Sequence, residues 1–211
     1  MICHYDWRPV SPAETSAEAL LADCGPVRRD RLRKLSGRRL EESASAQRLC
    51  RELWDEFPEV PGKGVEWILE EDARGKPFPL SSELHVSLSH SGGFVSAAVS
   101  DVPVGLDIQT LRSISPGVLR RCFSPEEREW ISHAGEEEGR KRAMRLWTMK
   151  EARGKLSGAG VFGRSLFCAD FSSGVLLRKY GDCRFLFSSP SDELLLTVCI
   201  GYPDGSSALK A

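Results

Sequence analysis

The sequence predicts an α+β protein with two halves of comparable size, residues 1–102 and 103–211. Both halves mix helical patterns with short strand patterns, and neither contains a βαβ nucleotide-binding signature. The length of 211 residues is sufficient for one large core or two small ones. Hydrophobic residues make up 41% and charged residues 28%, which is typical of a soluble globular protein. We find no clear internal sequence repeat that would indicate a duplication.

Composition and charge exclude several classes of function. The formal net charge of -1 argues against a general nucleic-acid binder. No apolar run approaches the length needed to cross a membrane, and the first residues lack the regions of a signal peptide. The seven cysteines are scattered and form no CxxC pair, which is typical of reduced, buried thiols. We therefore expect a cytoplasmic protein without nucleic-acid or membrane partners.

In the first half, hydrophobic periodicity predicts two helices, over residues 27–40 and 43–57, of which the first is basic. Two strands and a polar turn are expected after them, at residues 65–69, 85–89 and 90–93. The small residues of 94–99 fit a helix or a strand equally well.

In the second half, alternation predicts a strand over residues 104–109, with Asp107 and Gln109 on the face opposite the core. Residues 124–127 predict a helix start, because serine, proline and glutamate stand at the positions of a capping box. A further helix is expected over residues 140–155, closed by glycines. Short strand patterns follow at 166–171, 175–179, 184–187 and 194–200.

Three polar residues of this half carry candidate chemistry. A carboxylate at position 107, on a strand whose neighbours are buried, needs a partner, and by itself Asp107 is typical of a structural salt bridge. Glu151 and Lys155 lie one turn apart on the helical face that also carries Trp147, and alone they are typical of a solvated ion pair. The interest lies in their combination.

This combination resembles the signatures of the 4'-phosphopantetheinyl transferase family. Residues 104–108 match its glycine-hydrophobic-aspartate strand, and residues 147–155 match its helix with a tryptophan, a Lys-Glu pair and a second lysine. Residues 123–127 match the family's intervening Phe-Ser-x-x-Glu segment. Two upstream segments, 75–77 and 87–91, are similar to its coenzyme A-binding segments. The length and layout resemble the larger, surfactin-type subgroup.

The resemblance implies a fold of two similar α/β halves related by a pseudo-twofold axis, with the active site between them. It implies transfer of 4'-phosphopantetheine from coenzyme A to a serine of an apo acyl or peptidyl carrier protein, releasing adenosine 3',5'-bisphosphate. Asp107 and Glu151 are then expected to hold Mg²⁺. Lys155 is expected to stabilise phosphate charge, and Glu151 is also a candidate general base.

Gln109 departs from the subgroup, which often has a third acid at this position. A glutamine can ligate Mg²⁺ through its oxygen or hold a metal-bound water, but it adds no charge. A simple supporting role beside the metal ligands is equally compatible with the sequence.

The resemblance also implies the residues that contact coenzyme A. Lys76 and Pro77 are expected to line the adenine site, and Ser89 and His90 to contact phosphate, with His90 counted among the catalytic residues beside Glu151 and Lys155. A basic cluster that contains Arg31 and Arg38 suits the 3'-phosphate, although a solvated helix face explains it about as well. This cluster consists of Arg31, Arg33, Arg38 and Arg39.

Residues 111–123 are the expected docking segment for the carrier protein. They combine apolar side chains with arginines, and carrier proteins are usually acidic around their recognition helix. An ordinary loop and short helix packed on the core is the alternative. We expect a monomer.

The alternative function is a non-catalytic homologue that binds carrier proteins or coenzyme A, which Gln109 and the helical Gly154 keep open. A serine hydrolase built on Ser89 or Ser91 lacks a nucleophile-elbow pattern. Another Mg²⁺-dependent phosphotransferase lacks a phosphate-cradling glycine loop.

Overall fold

Antiparallel sheets and two long helices frame the protein in the computed structural model, which describes residues 1–11, 17–58, 66–80, 82–160 and 179–202. The helices are α1 (Ala17–Ala22), α2 (Pro26–Leu32), α3 (Gly37–Asp55), α4 (Pro116–Cys122), α5 (Pro125–Ser132) and α6 (Glu136–Ser157). The strands are β1 (Cys3–Pro9), β2 (Leu69–Glu71), β3 (Pro77–Pro79), β4 (His85–Ser91), β5 (Phe94–Ser100), β6 (Val104–Thr110), β7 (Lys179–Tyr180), β8 (Cys183–Ser191) and β9 (Leu194–Gly201).

The same topology occurs in both halves of the chain. The first sheet has the strand order β1-β5-β4 and the second has the order β6-β9-β8-β7, while β2 and β3 form a separate pair. In each large sheet the first strand pairs with the second strand of a later hairpin, and one long helix, α3 or α6, precedes that hairpin. The predicted α+β class is confirmed. The division at residues 102/103 falls between β5 and β6 and stays a prediction.

Among the described residues, three of the four apolar clusters involve the large sheets. One lies between α3 and the first sheet, where Leu49 and Trp54 pack with Val95. A second lies between the two sheets and contains Ala98 of β5 and Leu106 of β6. The third joins α6 to the second sheet through Leu146, Met149, Phe185 and Cys199. The two large sheets therefore pack against each other in the centre of the protein. α3 covers the outer face of the first sheet, and α6 covers the outer face of the second.

The first half differs from the sequence-based expectation at several boundaries. The single helix predicted over 27–40 is wrong, because α2 ends at Leu32 and α3 begins at Gly37, whose φ of 52° interrupts a continuous helix. The strand predicted over 65–69 is displaced, since β2 begins only at Leu69; residue 65 lies outside the described residues.

Pairing between strands decides the remaining boundaries of that half. β4 continues to Ser91 and residues 94–99 are strand, because His90 pairs with Val95 and Ser91 with Phe94. The predicted turn is therefore confined to the two glycines between these strands. β1 pairs along the other edge of β5 and was not expected from the sequence.

The second half follows its sequence pattern more closely. β6 forms as predicted, and the capping box between Ser124 and Glu127 is present at the start of α5. α6 is longer than predicted; it ends at Ser157 and is capped by Gly158, whose φ of 68° is left-handed. The strands predicted over 184–187 and 194–200 form within β8 and β9. The strand predicted over 166–171 lies outside the described residues, as does 175–179 except for its last residue.

The described cysteines are free thiols, and all of them except Cys3 are buried, as expected for packing residues; Cys168 lies outside the described residues. No helix among the described residues is long and apolar enough to cross a membrane.

Candidate functional site

Asp107 lies at the contact between β6, α6 and β4. Its carboxylate is 1% exposed, and its Oδ1 accepts hydrogen bonds from Lys155 Nζ at 2.8 Å and from Ser89 Oγ at 2.8 Å. Ser89 Oγ accepts from Lys155 Nζ at 2.7 Å and from the backbone N–H of Ile108 at 3.2 Å. Because both neighbours donate to this hydroxyl, its own proton is directed to Asp107. The partner that a buried carboxylate requires is therefore a lysine 48 residues away.

Alternate serines of β4 connect the two large sheets. The hydroxyl oxygens of Ser87, Ser89 and Ser91 accept hydrogen bonds at 2.9, 3.2 and 3.3 Å from three backbone N–H groups of β6, those of Leu106, Ile108 and Thr110. These N–H groups lie on the edge of β6 that does not pair with β9, so the serines satisfy donors that would otherwise need water. The period-two serine pattern was a sequence signal for this contact that we did not use.

Gln109 supports Asp107 through its amide nitrogen. Its Nε2 donates to Asp107 Oδ2 at 3.1 Å, while its Oε1 accepts from Ser91 Oγ at 3.2 Å. A carboxylate can only accept, so the nitrogen is the end of the amide that faces it. Direct metal ligation by Oε1 would require the amide to turn over and place its oxygen against this carboxylate. The geometry favours a supporting role or a contact through water.

Glu151 faces the same space from α6, one turn before Lys155. Burial raises the pKa of Glu151 to about 7, the negative charge of Asp107 adds to this rise, and Lys155 opposes it. The Glu151 and Asp107 carboxylates are thus close enough to repel each other, and Lys155 offsets part of this repulsion. A divalent cation would stabilise two such carboxylates. Among the residues that the structure describes, no group of three or more His, Cys, Asp or Glu side chains could hold a metal. A cation here would therefore rely on two carboxylates and complete its shell with water or phosphate oxygens.

Glu151→Gln is expected to stabilise the protein at alkaline pH in the absence of divalent cations. The folded-state pKa of Glu151 lies above its ordinary value of 4.5, so the folded state binds the proton more tightly and the wild type loses stability as the pH rises from about 4.5 to 7. Glutamine cannot ionise. We expect the variant to exceed the wild type by about 2 kcal/mol at pH 8 and to equal it near pH 4, as measured by urea unfolding in EDTA.

Glu129→Gln provides the control for this measurement, because its carboxylate is exposed on α5 and lies 4.0 Å from His133 Nε2. Its effect should stay within about 0.5 kcal/mol at both pH values. Equal stability of Glu151→Gln and wild type at pH 8 would show that the two carboxylates do not destabilise the folded state.

A pocket of about 170 Å³ lies beside this cluster. Lys76 lines it from the turn before β3 and Pro77 from the start of that strand. Leu88 lines it from β4, and Gly154 and Lys155 line it from α6. Gly154 therefore contributes backbone and no side chain to the pocket wall. The structure thus brings the predicted adenine-binding residues next to the predicted phosphate-binding lysine.

The turn that carries Lys76 is itself ordered by polar contacts. Asp72 Oδ1 accepts from the backbone N–H groups of Arg74 and Lys76, both at 2.9 Å. The Lys76 ammonium donates to the backbone oxygen of Leu156 near the end of α6, and burial lowers its pKa. Lys76 therefore joins this turn to the helix that carries Glu151.

His90 lies at the exposed end of β4 and is held from α3. Its Nδ1 is 3.0 Å from Glu42 Oε2, and Glu42 Oε1 accepts from Arg38 Nε at 3.0 Å. Burial lowers the pKa of His90, and the Glu42 carboxylate opposes this shift. The structure therefore brings Arg38 together with His90. Arg31 pairs instead with Glu71 of β2.

Sequence reasoning missed a buried ion pair beneath the site. Lys150 Nζ lies 3.0 Å from Glu127 Oε1, with side-chain exposures of 1% and 0%. Glu127 Oε2 also accepts from the backbone N–H of Ser124 at 2.7 Å, so one carboxylate caps α5 and pairs with α6. Since Lys150 precedes Glu151, the pair fixes the helix next to the candidate metal ligand. The sequence signal for this pair was the presence of Glu127 in the segment 123–127 and of Lys150 in the segment 147–155. The spacing of these segments does not show that the two side chains are in contact.

The predicted docking segment forms a loop and α4. Ile114, Val118 and Leu119 are partly buried and pack against the cluster under α6, so they support the core. The arginines of the segment are exposed, namely Arg112, Arg120 and Arg121. The expected basic rim is present, whereas the apolar side chains are largely turned inward.

Comparison with known proteins identifies the chemistry that this arrangement resembles. The family model of the 4'-phosphopantetheinyl transferase superfamily matches residues 103–198, which include β6 and α6. The 4'-phosphopantetheinyl transferase psf-1 of Bacillus pumilus is 36% identical over 126 residues, 59% of this chain and 53% of that protein. A 4'-phosphopantetheinyl transferase of Bacillus subtilis is 30% identical over 142 residues, which are 62% of this chain and 61% of that protein.

The 4'-phosphopantetheinyl transferase HetI of a Nostoc species is 34% identical over 97 residues, 43% of this chain and 41% of that protein. In these comparisons the chain spans about half the length of the curated relatives it matches.

Proposed function

We infer that the chain belongs to the 4'-phosphopantetheinyl transferase superfamily and propose that it transfers 4'-phosphopantetheine from coenzyme A to a serine of an apo acyl or peptidyl carrier protein. The product released is adenosine 3',5'-bisphosphate. The observation that carries the proposal is the paired Asp107 and Lys155, with Glu151 one helical turn away, beside a pocket lined by Lys76. We assign the chain to the larger, surfactin-type subgroup. The assignment is supported by Ser89 of β4 and Asp107 of β6, which come from different halves of the chain and are in contact in the candidate site.

Mg²⁺ dependence is part of the same proposal. Asp107 and Glu151 would hold the ion, and Gln109 would support Asp107 or contact a bound water. Both carboxylates offer the hard oxygen ligands that Mg²⁺ prefers. When bound, the ion neutralises charge on the diphosphate as its bond breaks.

Lys155 supplies positive charge that the protein itself holds in place. Its ammonium has three donors, of which two go to Asp107 Oδ1 and Ser89 Oγ. The third can reach a phosphate oxygen in the adjoining pocket. Lys76 and Pro77 would contact the adenine, while His90 and Arg38 would contact phosphate.

Glu151 is proposed to accept the proton of the carrier serine, directly or through water. The serine oxygen forms a bond to the phosphorus that carries the pantetheine, and the bond from this phosphorus to the oxygen of adenosine 3',5'-bisphosphate breaks. A pKa of about 7 is suited to a general base near neutral pH. Binding of a cation would lower this pKa and favour the ionised carboxylate.

Carrier proteins are proposed to dock near residues 111–123. The exposed arginines of this segment suit an acidic partner, whereas its apolar side chains pack inward. We further propose that the protein acts as a monomer, because two halves of one chain supply the residues of the site. A cytoplasmic location stays part of the proposal.

Carrier modification by the purified protein tests the proposed function directly. Incubation with coenzyme A, Mg²⁺ and a panel of apo acyl and peptidyl carriers should raise the mass of at least one carrier by one phosphopantetheine. EDTA should abolish the increase. If coenzyme A binds while every carrier keeps its mass, the chain is a non-catalytic homologue and the proposal is wrong.

A further inference from the structure

An acid stands at the centre of the basic group beside the pocket. Glu42 of α3 is buried, and both of its carboxylate oxygens are engaged. Oε1 accepts from Arg38 Nε at 3.0 Å, and Oε2 lies 3.0 Å from His90 Nδ1. One carboxylate therefore connects a guanidinium on its own helix with an imidazole on β4.

The remaining nitrogens of Arg38 and His90 stay accessible. The side chains of Arg38 and His90 are 63% and 43% exposed, in contrast to the buried carboxylate between them. Arg38 Nη2 is 3.3 Å from the position that a Cβ on Gly93 would occupy, so the guanidinium lies over the turn between β4 and β5. Arg38 Nη1 and Nη2 and His90 Nε2 are the groups that Glu42 does not use.

We infer that Glu42 is a positioning residue that orients His90 and Arg38 toward one phosphate of coenzyme A. The inference rests on the proposed function and goes beyond it, since an acid would otherwise be expected to weaken an anion site. Holding Arg38 by Nε leaves the fork of its two terminal nitrogens for phosphate oxygens. Holding His90 by Nδ1 leaves Nε2 as the ligand-facing atom.

Charge explains why an acid suits this place. A neutral imidazole that donates from Nδ1 to Glu42 has only a lone pair at Nε2, so it must be protonated to donate to phosphate. The charged groups around His90 are Glu42 and Arg38 of α3, Lys155 of α6 and Asp107 of β6. Burial disfavours an imidazolium most and Lys155 adds to this effect, whereas Glu42, 3.0 Å from Nδ1, is the main group that favours it.

Glu42→Gln tests this inference in the full-length protein. The amide can accept from Arg38 through its oxygen, but its nitrogen then donates to His90 Nδ1 and moves the imidazole proton to Nε2. We expect KM for coenzyme A to rise about tenfold while kcat changes less than about twofold, because a charge-assisted contact becomes a neutral one. The nitrogen chemical shifts of His90 should report the change of tautomer, which a purely structural role would leave unaltered.

Two coenzyme A forms identify the phosphate concerned. If the site takes the 3'-phosphate, the Glu42→Gln penalty disappears with 3'-dephospho-coenzyme A; if it takes the diphosphate, the penalty persists with both. Either result supports the inference. Values of KM within about twofold of wild type for both forms, with unchanged His90 shifts, would overturn it.

Glu52→Gln is the matched control, since Glu52 lies on the same helix and pairs with Arg8 at 2.6 Å. It should leave KM and the His90 signals unchanged. Calorimetric titration with coenzyme A keeps the inference testable apart from turnover. If the wild type modifies no carrier, the proposed function fails. A dissociation constant for coenzyme A that is larger in Glu42→Gln than in the wild type would still support the role of Glu42.

Discussion

Asp107→Asn is expected to lower kcat/KM for carrier modification by at least about 1000-fold at saturating coenzyme A and Mg²⁺. The substitution keeps the volume of the side chain, and its amide oxygen can still accept from Lys155 and Ser89. It removes the charge that pairs with Lys155 and, under the proposed function, one of two carboxylate ligands. The measurement is the initial rate of mass increase of the carrier across a range of Mg²⁺ concentrations.

The fold should tolerate this change. Loss of the negative charge at position 107 removes a contribution that raises the pKa of Glu151, so this pKa should fall below about 7 in the variant without metal. Carbon NMR of the glutamate carboxyl measures the shift. A variant with normal thermal unfolding and more than one-tenth of wild-type activity would contradict the role of Asp107 as a metal ligand.

Gln109→Ala is the companion variant for this experiment. The amide nitrogen of Gln109 donates to Asp107 Oδ2 at 3.1 Å, so the substitution removes this hydrogen bond from the carboxylate without changing the net charge. We expect a loss of about tenfold, much smaller than that of Asp107→Asn. Equal losses in both variants would indicate that Gln109 is itself a metal ligand.

Gly105→Ala is expected to reduce both stability and activity. A Cβ at position 105 would lie 2.0 Å from the backbone oxygen of Ala152 and 2.4 Å from the backbone nitrogen of Leu156. Both atoms belong to the backbone of α6, so a side-chain rotation cannot relieve the overlap and the helix must move away from β6. Overpacking of this kind typically costs about 3 kcal/mol, measurable by urea unfolding.

The shift of α6 should affect catalysis more than a comparable change elsewhere. The helix carries Glu151 and Lys155, whereas Asp107 lies two residues beyond the glycine on β6. A displacement of about 1 Å between these groups is expected to reduce kcat on the order of 100-fold.

Gly117→Ala is the matched control for the glycine substitution. Position 117 lies in α4, and a Cβ there would have no heavy atom within 4 Å. We expect no loss of stability and a gain of up to about 1 kcal/mol, because alanine restricts the unfolded chain. Wild-type stability and activity in Gly105→Ala would show that α6 does not need its close approach to β6.

Features of the fold that depend on residues close to one another in the sequence were predictable. The capping box of Ser124 and Glu127, the alternation of β6 and the glycine end of α6 each depend on contacts within a few positions of the chain. The helix predicted over 27–40 was wrong, since its periodicity continues across Gly37 although the backbone conformation there does not. The end of β4 was predicted at residue 89 and lies at Ser91, because pairing with β5 extends the strand through His90 and Ser91.

By itself, the sequence determined which residues are candidates for the chemistry, because the segments that carry Asp107, Glu151 and Lys155 resemble the signatures of a transferase family. Their roles remain predictions, but their juxtaposition follows the pattern. Only the tertiary structure decided how they are supported. Ser89 directs its proton to Asp107, and Glu42 of α3 lies 3.0 Å from the Nδ1 of His90. The physical reason is that hydrogen bonds between residues 18 or 48 positions apart depend on the packing of sheets and helices, which local spacing does not encode.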